Sequence, residues 1–253
     1  MLQAIRAEGS KPPFFVVHGL HGTVSIAHAM GHALDADRPL YALHATGIDG
    51  AEPPHRSIED MVGRYLAKIR AVRPHGPYVV GGVCAGGLVA MDLARELTAQ
   101  GEQVGPVLLV DPPSVPHSQN PALRNLNPTG DPAVYRRLYV SVEDAFRTFA
   151  YEFGYLPFNV NDPAQLQRAI EVGMQMMILF CRYVPPRFDG PTEFIVSAER
   201  ALAHLHPQGP WQHIVPTPGR MHVIPGNHND FFYKHLDEVL RMVRFALDAP
   251  FKA

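Results

Sequence analysis

The stretch VVGGVCAGGLVAMDLA, Val79 to Ala94, holds one of only two cysteines in a chain of 253 residues. An apolar run ends in glycines, one reactive side chain follows, and further glycines open a helix-like segment. Glycines two residues before and two after Cys84 let a strand and a helix approach without Cβ clashes, so the chain reverses within about two residues. A side chain on such a turn stands at a helix N-terminus, where the N–H dipoles favour a thiolate. The N–H of Ala85 then points to where an oxyanion would form. The competing interpretation is a small buried thiol in a glycine-rich packing turn.

The neighbouring segments favour the first interpretation. PFFVVHG (Pro13–Gly19), RPLYALHA (Arg38–Ala45), GPYVVGGV (Gly76–Val83) and GPVLLVD (Gly105–Asp111) read as strands apolar on both faces. SIEDMVGRYLAKIRAVRP (Ser57–Pro74) is an amphipathic helix capped by Ser57, and Gly86–Gly101 is a helix closed by glycine. Strands alternating with helices predict a mostly parallel sheet flanked by helices, an α/β fold. A turn-rich and helical insertion, about residues 112–188, interrupts the alternation and suits a lid over a site. PTEFIVSAE, a loop holding Trp211, the strand RMHVIPG and a final helix from about Asn229 to Leu247 complete a single domain.

A nucleophile on this turn needs a base from the loop after the last strand. His228 in PGNHNDFF has that placement, whereas His222 lies within a strand and His204, His206 and His213 lie in a loop. Asp111 closes the strand after the nucleophile helix and can hold the tautomer of His228; Glu199, at the end of the next strand, is the alternative acid. VVHGLHG (Val16–Gly22) follows the first strong strand and can aim the N–H of Leu20 at the same oxyanion position as that of Ala85. His18 is expected to organise that loop.

Composition narrows the partners. Lys and Arg number 22 against 24 Asp and Glu, a net charge of −2, and no basic run is interleaved with aromatics. Nucleic acid and anionic membranes are therefore not expected as partners. Cys84 and Cys181 are too few for a disulfide framework and lack zinc-ligand spacing, so no metal is expected. The longest apolar stretch, MQMMILF, is too short to span a bilayer, and the first residues lack a signal-peptide pattern. A reducing, cytoplasmic setting is expected.

The wording of IRAEGSKPPFFVVHGLHG, RPLYALHATGIDG, PYVVGGVCAGG and VLLVDPPS, with PGNHNDFF near the end, strongly resembles the thioesterase domains of nonribosomal peptide and polyketide synthetases. The likeness is dense over about residues 4–115, nearly absent in the insertion, and resumes at PGNHNDFF. It implies an α/β-hydrolase fold with Cys84, His228 and Asp111 as triad. It also implies an acyl or peptidyl substrate carried on the phosphopantetheine arm of a carrier protein, with no cofactor bound by the domain itself. The insertion corresponds to the lid of that family. One departure stands out: the family motif G-x-S-x-G-G has cysteine here, at Cys84 between Gly82, Gly86 and Gly87.

Cysteine changes the energetics of loading. A free thiol titrates near about 8.5, and exchanging one thioester for another is close to isoenergetic. Serine would form an oxoester that stores less acyl-transfer potential. Retained potential suits closure of a strained lactone or lactam, and it equally suits transfer to a second carrier thiol. Hydrolysis, an editing thioesterase that clears misloaded carriers, and a noncatalytic carrier-docking module complete the alternatives. MQMMILF is expected either to line the acyl site or to pack against the core, and Cys181 to be an ordinary buried thiol.

Overall fold

A computed structural model describes residues 1–114, 132–205, 209 and 211–248. The turn-rich part of the expected insertion, residues 115–131, and His206 lie outside the described residues. The sheet runs in the order β1-β3-β2-β4-β5-β6-β7. These strands are β1 (Leu2–Arg6), β2 (Phe14–Val17), β3 (Leu40–Leu43), β4 (Val79–Val83), β5 (Val107–Val110), β6 (Thr192–Ser197) and β7 (Arg220–Ile224). All neighbours pair in parallel except β1, which runs antiparallel to β3 at one edge.

Burial on both faces explains the continuous apolar strands. Every residue of β2, β3, β5 and β6 is buried. Alternate side chains serve two cores. Phe15 and Val17 join residues of α2 (Ile58–Val72), α3 (Gly86–Ala99), α4 (Pro132–Phe153) and α5 (Pro163–Arg182), while Phe14 and Val16 join α1 (Ala27–Ala33) and α9 (Leu236–Asp248). Ser57 caps α2 as expected, its Oγ accepting from the Asp60 N–H at 3.1 Å. The helices α4 and α5 stand between β5 and β6 in the chain and bury Val142, Phe146, Ala169, Ile170 and Met176 in the first core.

Several features differ from the sequence expectations. The edge strand β1 and the short helix α1 had no clean periodicity to announce them. Trp211 belongs to a short helix, α7 (Trp211–Ile214), and is buried, its indole N–H donating to the carbonyl of Pro113 at 2.9 Å. The expected final helix is two helices, α8 (His228–Tyr233) and α9. The carbonyl of Asp230 accepts both the Lys234 and the His235 N–H, which closes α8, and the Val239 N–H bonded to His235 starts the next helix. That break lets Phe231 and Phe232 pack separately from the apolar stripe of α9.

Three buried histidines tie the loops beneath the sheet's C-terminal edge. His44 Nδ1 accepts the Val24 N–H at 3.2 Å, and His55 Nε2 accepts the Thr46 N–H at 3.2 Å, so each ring is neutral in the fold. Burial pushes the third, His18, down to about 4, and pushes His44 and His55 down to about 3. In the unfolded chain the same rings titrate near about 6.5. Below that pH the unfolded state binds protons that the folded state refuses, so stability present above pH 6.5 is lost progressively towards about pH 4. Thermal unfolding across this interval is expected to show a falling midpoint. His55→Gln, which keeps an acceptor but does not titrate, is expected to flatten the slope; an unchanged slope would contradict this account.

Candidate active site

The site begins with the backbone of the β4–α3 turn. Cys84 has a φ of +51° and Asp111 a φ of +46°, the two non-glycine positive values among the described residues. Each such conformation costs on the order of 1–3 kcal/mol and persists only where surrounding bonds impose it. The Cys84 N–H donates to the Val110 carbonyl at 2.8 Å, and its own carbonyl accepts the Gly87 N–H at 3.2 Å. The flanking glycines are sterically required. A Cβ on Gly82 would lie 2.2 Å from the carbonyl carbon of Gly86, and one on Gly86 would lie 2.2 Å from the His18 carbonyl oxygen. The turn therefore presses against both its own helix and the loop after β2.

Asp111 directly follows β5. Its N–H donates to the Ile195 carbonyl at 2.7 Å, and its Oδ1 accepts the Ser197 N–H at 2.7 Å. Its Oδ2 lies 2.5 Å from His228 Nδ1. Burial would raise this carboxyl, but the His228 bond, the Arg200 charge and the Ser197 N–H together hold it below the usual carboxylate range. His228 is the first residue of α8, behind Gly226 at φ +89°. Asn227 and Asp230 form a capping box there, with Asn227 Oδ1 accepting the Asn229 and Asp230 N–H groups at 2.9 and 3.0 Å. The imidazole packs edge-on against Phe232 at 5.1 Å.

The imidazole, its Nδ1 engaged by Asp111, lines one cavity together with the Cys84 thiol. Burial pushes that thiol up, but the bond and charge of His228, and the guanidinium of Arg200, outweigh it and bring Cys84 down to about 7. Burial conversely lowers His228, yet its bonds to Asp111 and Cys84 raise it to about 9. Between about pH 7 and 9 the pair accordingly holds its proton on the imidazole and its negative charge on sulfur. Cys181 is buried among apolar groups and pushed up to about 11.

Cys84 and His228 open onto a cavity of about 480 Å³, which Leu20, His21, Phe149, Phe153 and Arg200 also line. Leu20 belongs to the loop after β2, and a Cβ on the adjacent Gly19 would stand 3.8 Å from the Cys84 Cβ. Ala85 is buried as the N-cap of α3. All five sequence-selected residues thus meet at the C-terminal edge of the sheet. Glu199 does not join them: it is exposed in the first turn of α6 (Ala198–Leu205), and Asp111 contacts His228 instead. His18 is buried with its Nδ1 2.7 Å from the Gly19 carbonyl, and His222 pairs with Glu193 at 3.2 Å. His213 belongs to α7.

Two expectations need amendment. MQMMILF does not line the cavity: Met174 and Met176 pack in the core, where Met176 Cγ would lie 3.4 Å from a Cβ on Gly22. The wall is built instead by α4, through Ala145, Thr148, Phe149 and Phe153. Arg200 was not anticipated. It follows the strand β6 by three residues, and no motif distinguishes it in the sequence from the other basic residues. Its Nη1 donates to the Asp111 carbonyl at 2.6 Å and lies 3.3 Å from Asp111 Oδ2.

A nucleophilic thiol, a hydrogen-bonded imidazole and a buried carboxylate define a site able to carry acyl transfer. The chain matches the thioesterase domain family over residues 12–247 and belongs to it. It is 42% identical over 114 residues to malpinin synthetase of Mortierella alpina, covering 45% of this chain and 2% of that protein. It is 39% identical over 100 residues to aspulvinone E synthetase melA of Aspergillus terreus, covering 40% and 11%. The chain thus spans only a small fraction of the synthetases it matches. The fold is that of the α/β-hydrolase thioesterases. The NocB thioesterase domain in covalent complex with a fluorophosphonate nocardicin G analog superimposes with a TM-score of 0.72 at 23% identity, covering 98% of this chain and 100% of that one. The Vlm2 thioesterase domain bound with a dodecadepsipeptide gives 0.75 at 18% identity, with both chains fully covered.

Among the described residues no helix is long and apolar enough to cross a membrane. Alkylation by iodoacetamide, followed by mass spectrometry, is expected to modify Cys84 with a midpoint near pH 7 and to spare Cys181. His228→Ala is expected to move that midpoint up towards the free thiol value of about 8.5.

Proposed function

We propose that this domain is a cysteine thioesterase that takes an acyl or peptidyl group from the phosphopantetheine arm of a carrier protein onto Cys84. The observation that carries this is the convergence of Cys84, strained at φ +51°, and His228 on one cavity, with the buried Asp111 bonded to His228 behind it. In loading, the Cys84 sulfur bonds to the thioester carbonyl carbon as the bond to the pantetheine sulfur breaks. The imidazolium of His228 gives its proton to the departing thiolate. The N–H groups of Leu20 and Ala85 flank the nucleophile where the carbonyl oxygen gains charge. In the second half-reaction His228 takes the proton from the acceptor, and Cys84 leaves as the acyl group moves on.

Release by ring closure fits this site better than hydrolysis. The thioester on Cys84 keeps the potential needed to close a strained lactone or lactam. One side of the cavity is aromatic, with Phe149 and Phe153 from α4 beside Phe232 and Tyr233 from α8, and Phe153 stacks on Tyr233. An apolar wall of this kind favours an internal nucleophile over water. In this reading α4 and α5, within the insertion of about residues 112–188, act as the lid of a single domain. The small share of each relative that this chain spans supports a carrier domain as partner. So does a four-domain nonribosomal peptide synthetase of which one fifth superimposes on this chain with a TM-score of 0.74. Delivery to a second carrier thiol is the rival outcome, because thioester exchange is nearly isoenergetic at both steps.

Intact-mass analysis after mixing with an acyl-loaded carrier protein is expected to show one acyl adduct on wild type and none on Cys84→Ala. His228→Ala is expected to lower turnover by about 10²–10⁴-fold, the usual contribution of a positioned acid–base group. Adding an empty second carrier separates the two outcomes. Cyclic product with both carriers empty supports release, label on the second carrier supports transfer, and no adduct on wild type would overturn the proposal.

A further inference from the structure

We propose that Arg200 fits this site to a thiolate nucleophile and makes it a poor site for a hydroxyl one. The inference rests on Cys84 being the nucleophile and concerns how its charge is held.

Arg200 contacts the Asp111 end of the Cys84–His228–Asp111 array and lines the cavity onto which Cys84 opens. Its Nη1 donates to the Asp111 main-chain carbonyl at 2.6 Å and reaches Asp111 Oδ2 at 3.3 Å. That same oxygen is the one His228 Nδ1 contacts at 2.5 Å. The guanidinium also borders the cavity onto which Cys84 opens. Its side chain is only 16% exposed and the Asp111 side chain is fully buried, so solvent screens these charges weakly. The titratable groups facing the cluster are Cys84 at the β4–α3 turn, Asp111 after β5 and His228 on α8. Across the cavity stand His21 and Tyr233.

The consequences differ for the two nucleophiles. With a thiolate, Arg200 faces a full negative charge on sulfur, and the four groups Cys84, His228, Asp111 and Arg200 sum to zero. With a hydroxyl, the ground state carries no charge on the nucleophile, so the guanidinium has nothing there to stabilise. Instead it shares the Asp111 oxygen on which His228 depends, and it repels the imidazolium that must form as the hydroxyl proton is removed. The charge of Arg200 accordingly lowers both Cys84 and His228. A thiol, which ionises near neutrality, tolerates the weaker base; a hydroxyl, ionising far higher, needs the stronger one. The same cation therefore assists one nucleophile and opposes the other.

A four-protein comparison tests this. The burst of nitrophenolate from a p-nitrophenyl ester measures acylation in wild type, Arg200→Gln, Cys84→Ser and the double variant, with thermal unfolding recorded for each. Arg200→Gln is expected to raise the pH midpoint of acylation of the cysteine protein by about one unit, which slows it about fivefold at pH 7 and about tenfold well below the midpoint. In the serine background the same substitution is expected to accelerate acylation several-fold. Arg200→Lys, which keeps the charge, is expected to hold the midpoint near that of wild type and guards against loss of fold in the glutamine variant. Equal slowing in both backgrounds, or an unmoved midpoint with the fold intact, would overturn the inference, because Arg200 would then only hold Asp111 in place. Iodoacetamide alkylation reads the same midpoint without turnover. A midpoint that moves in a protein never acylated by its carrier would refute the thioesterase proposal and leave this one standing.

Discussion

Three stretches of backbone meet at a distance only glycine permits, and the rest of the site depends on that meeting. The end of β4, the start of α3 and the loop after β2 converge around Gly82 and Gly86, where any Cβ would fall within 2.2 Å of a neighbouring backbone atom. This closeness forces the reversal at Cys84 into the left-handed region and holds it there against the strain. It also brings the loop carrying Leu20 beside the nucleophile and puts sulfur at the N-terminus of α3. One steric requirement thus sets the position of Cys84, the helix N-terminus behind it and the loop beside it.

The second requirement is electrostatic and centres on Asp111. A fully buried carboxylate must be paired and hydrogen-bonded, or its ionised form is too costly. Here the Ser197 N–H, His228 and Arg200 divide that task. Because β6 supplies Ser197, the α6 helix Arg200 and the first residue of α8 His228, the carboxylate ties together elements more than eighty residues apart in sequence, as the Ser197 bond to Asp111 spans 86 positions. Asp111 also adopts a positive φ, so the strand end itself is bent to face its partners. The imidazole is oriented by backbone capping on one side and by Phe232 on the other. A ring so constrained presents one nitrogen to the acid and the other to sulfur.

Much of this was legible from local chemistry. The G-x-C-x-G turn between a strand and a helix announces itself, since glycine at both flanks lets the strand and helix close on a single side chain. Asp111 and His228 followed from their places at strand ends, because parallel strands deliver their C-terminal loops to one edge. Arg200 was not legible: it gains its meaning only from β6 lying beside β5, a pairing that no residue near Arg200 encodes. The lining of the cavity stays open in the sequence for a similar reason. MQMMILF is the most apolar run of the chain, and apolar runs mark burial without saying whether a core or a cavity lies against them. α4 mixes apolar and polar residues, as suits a helix with one side towards the core and Phe149 and Phe153 towards the cavity.

Cysteine at position 84 is then less an isolated exchange than one part of a charge arrangement. A hydroxyl nucleophile asks its base to be strong and its acid to serve that base alone. In this chain the acid is shared with a guanidinium, which weakens the base, and the weakening is harmless only where the nucleophile ionises near neutrality. In the proposed site a Cys84 thiolate gives the guanidinium a second anion to face beside the fully buried Asp111 carboxylate. Under that proposal the shared acid suits a weaker base, the weaker base suits a thiol, and a thiol preserves the acyl-transfer potential of a thioester.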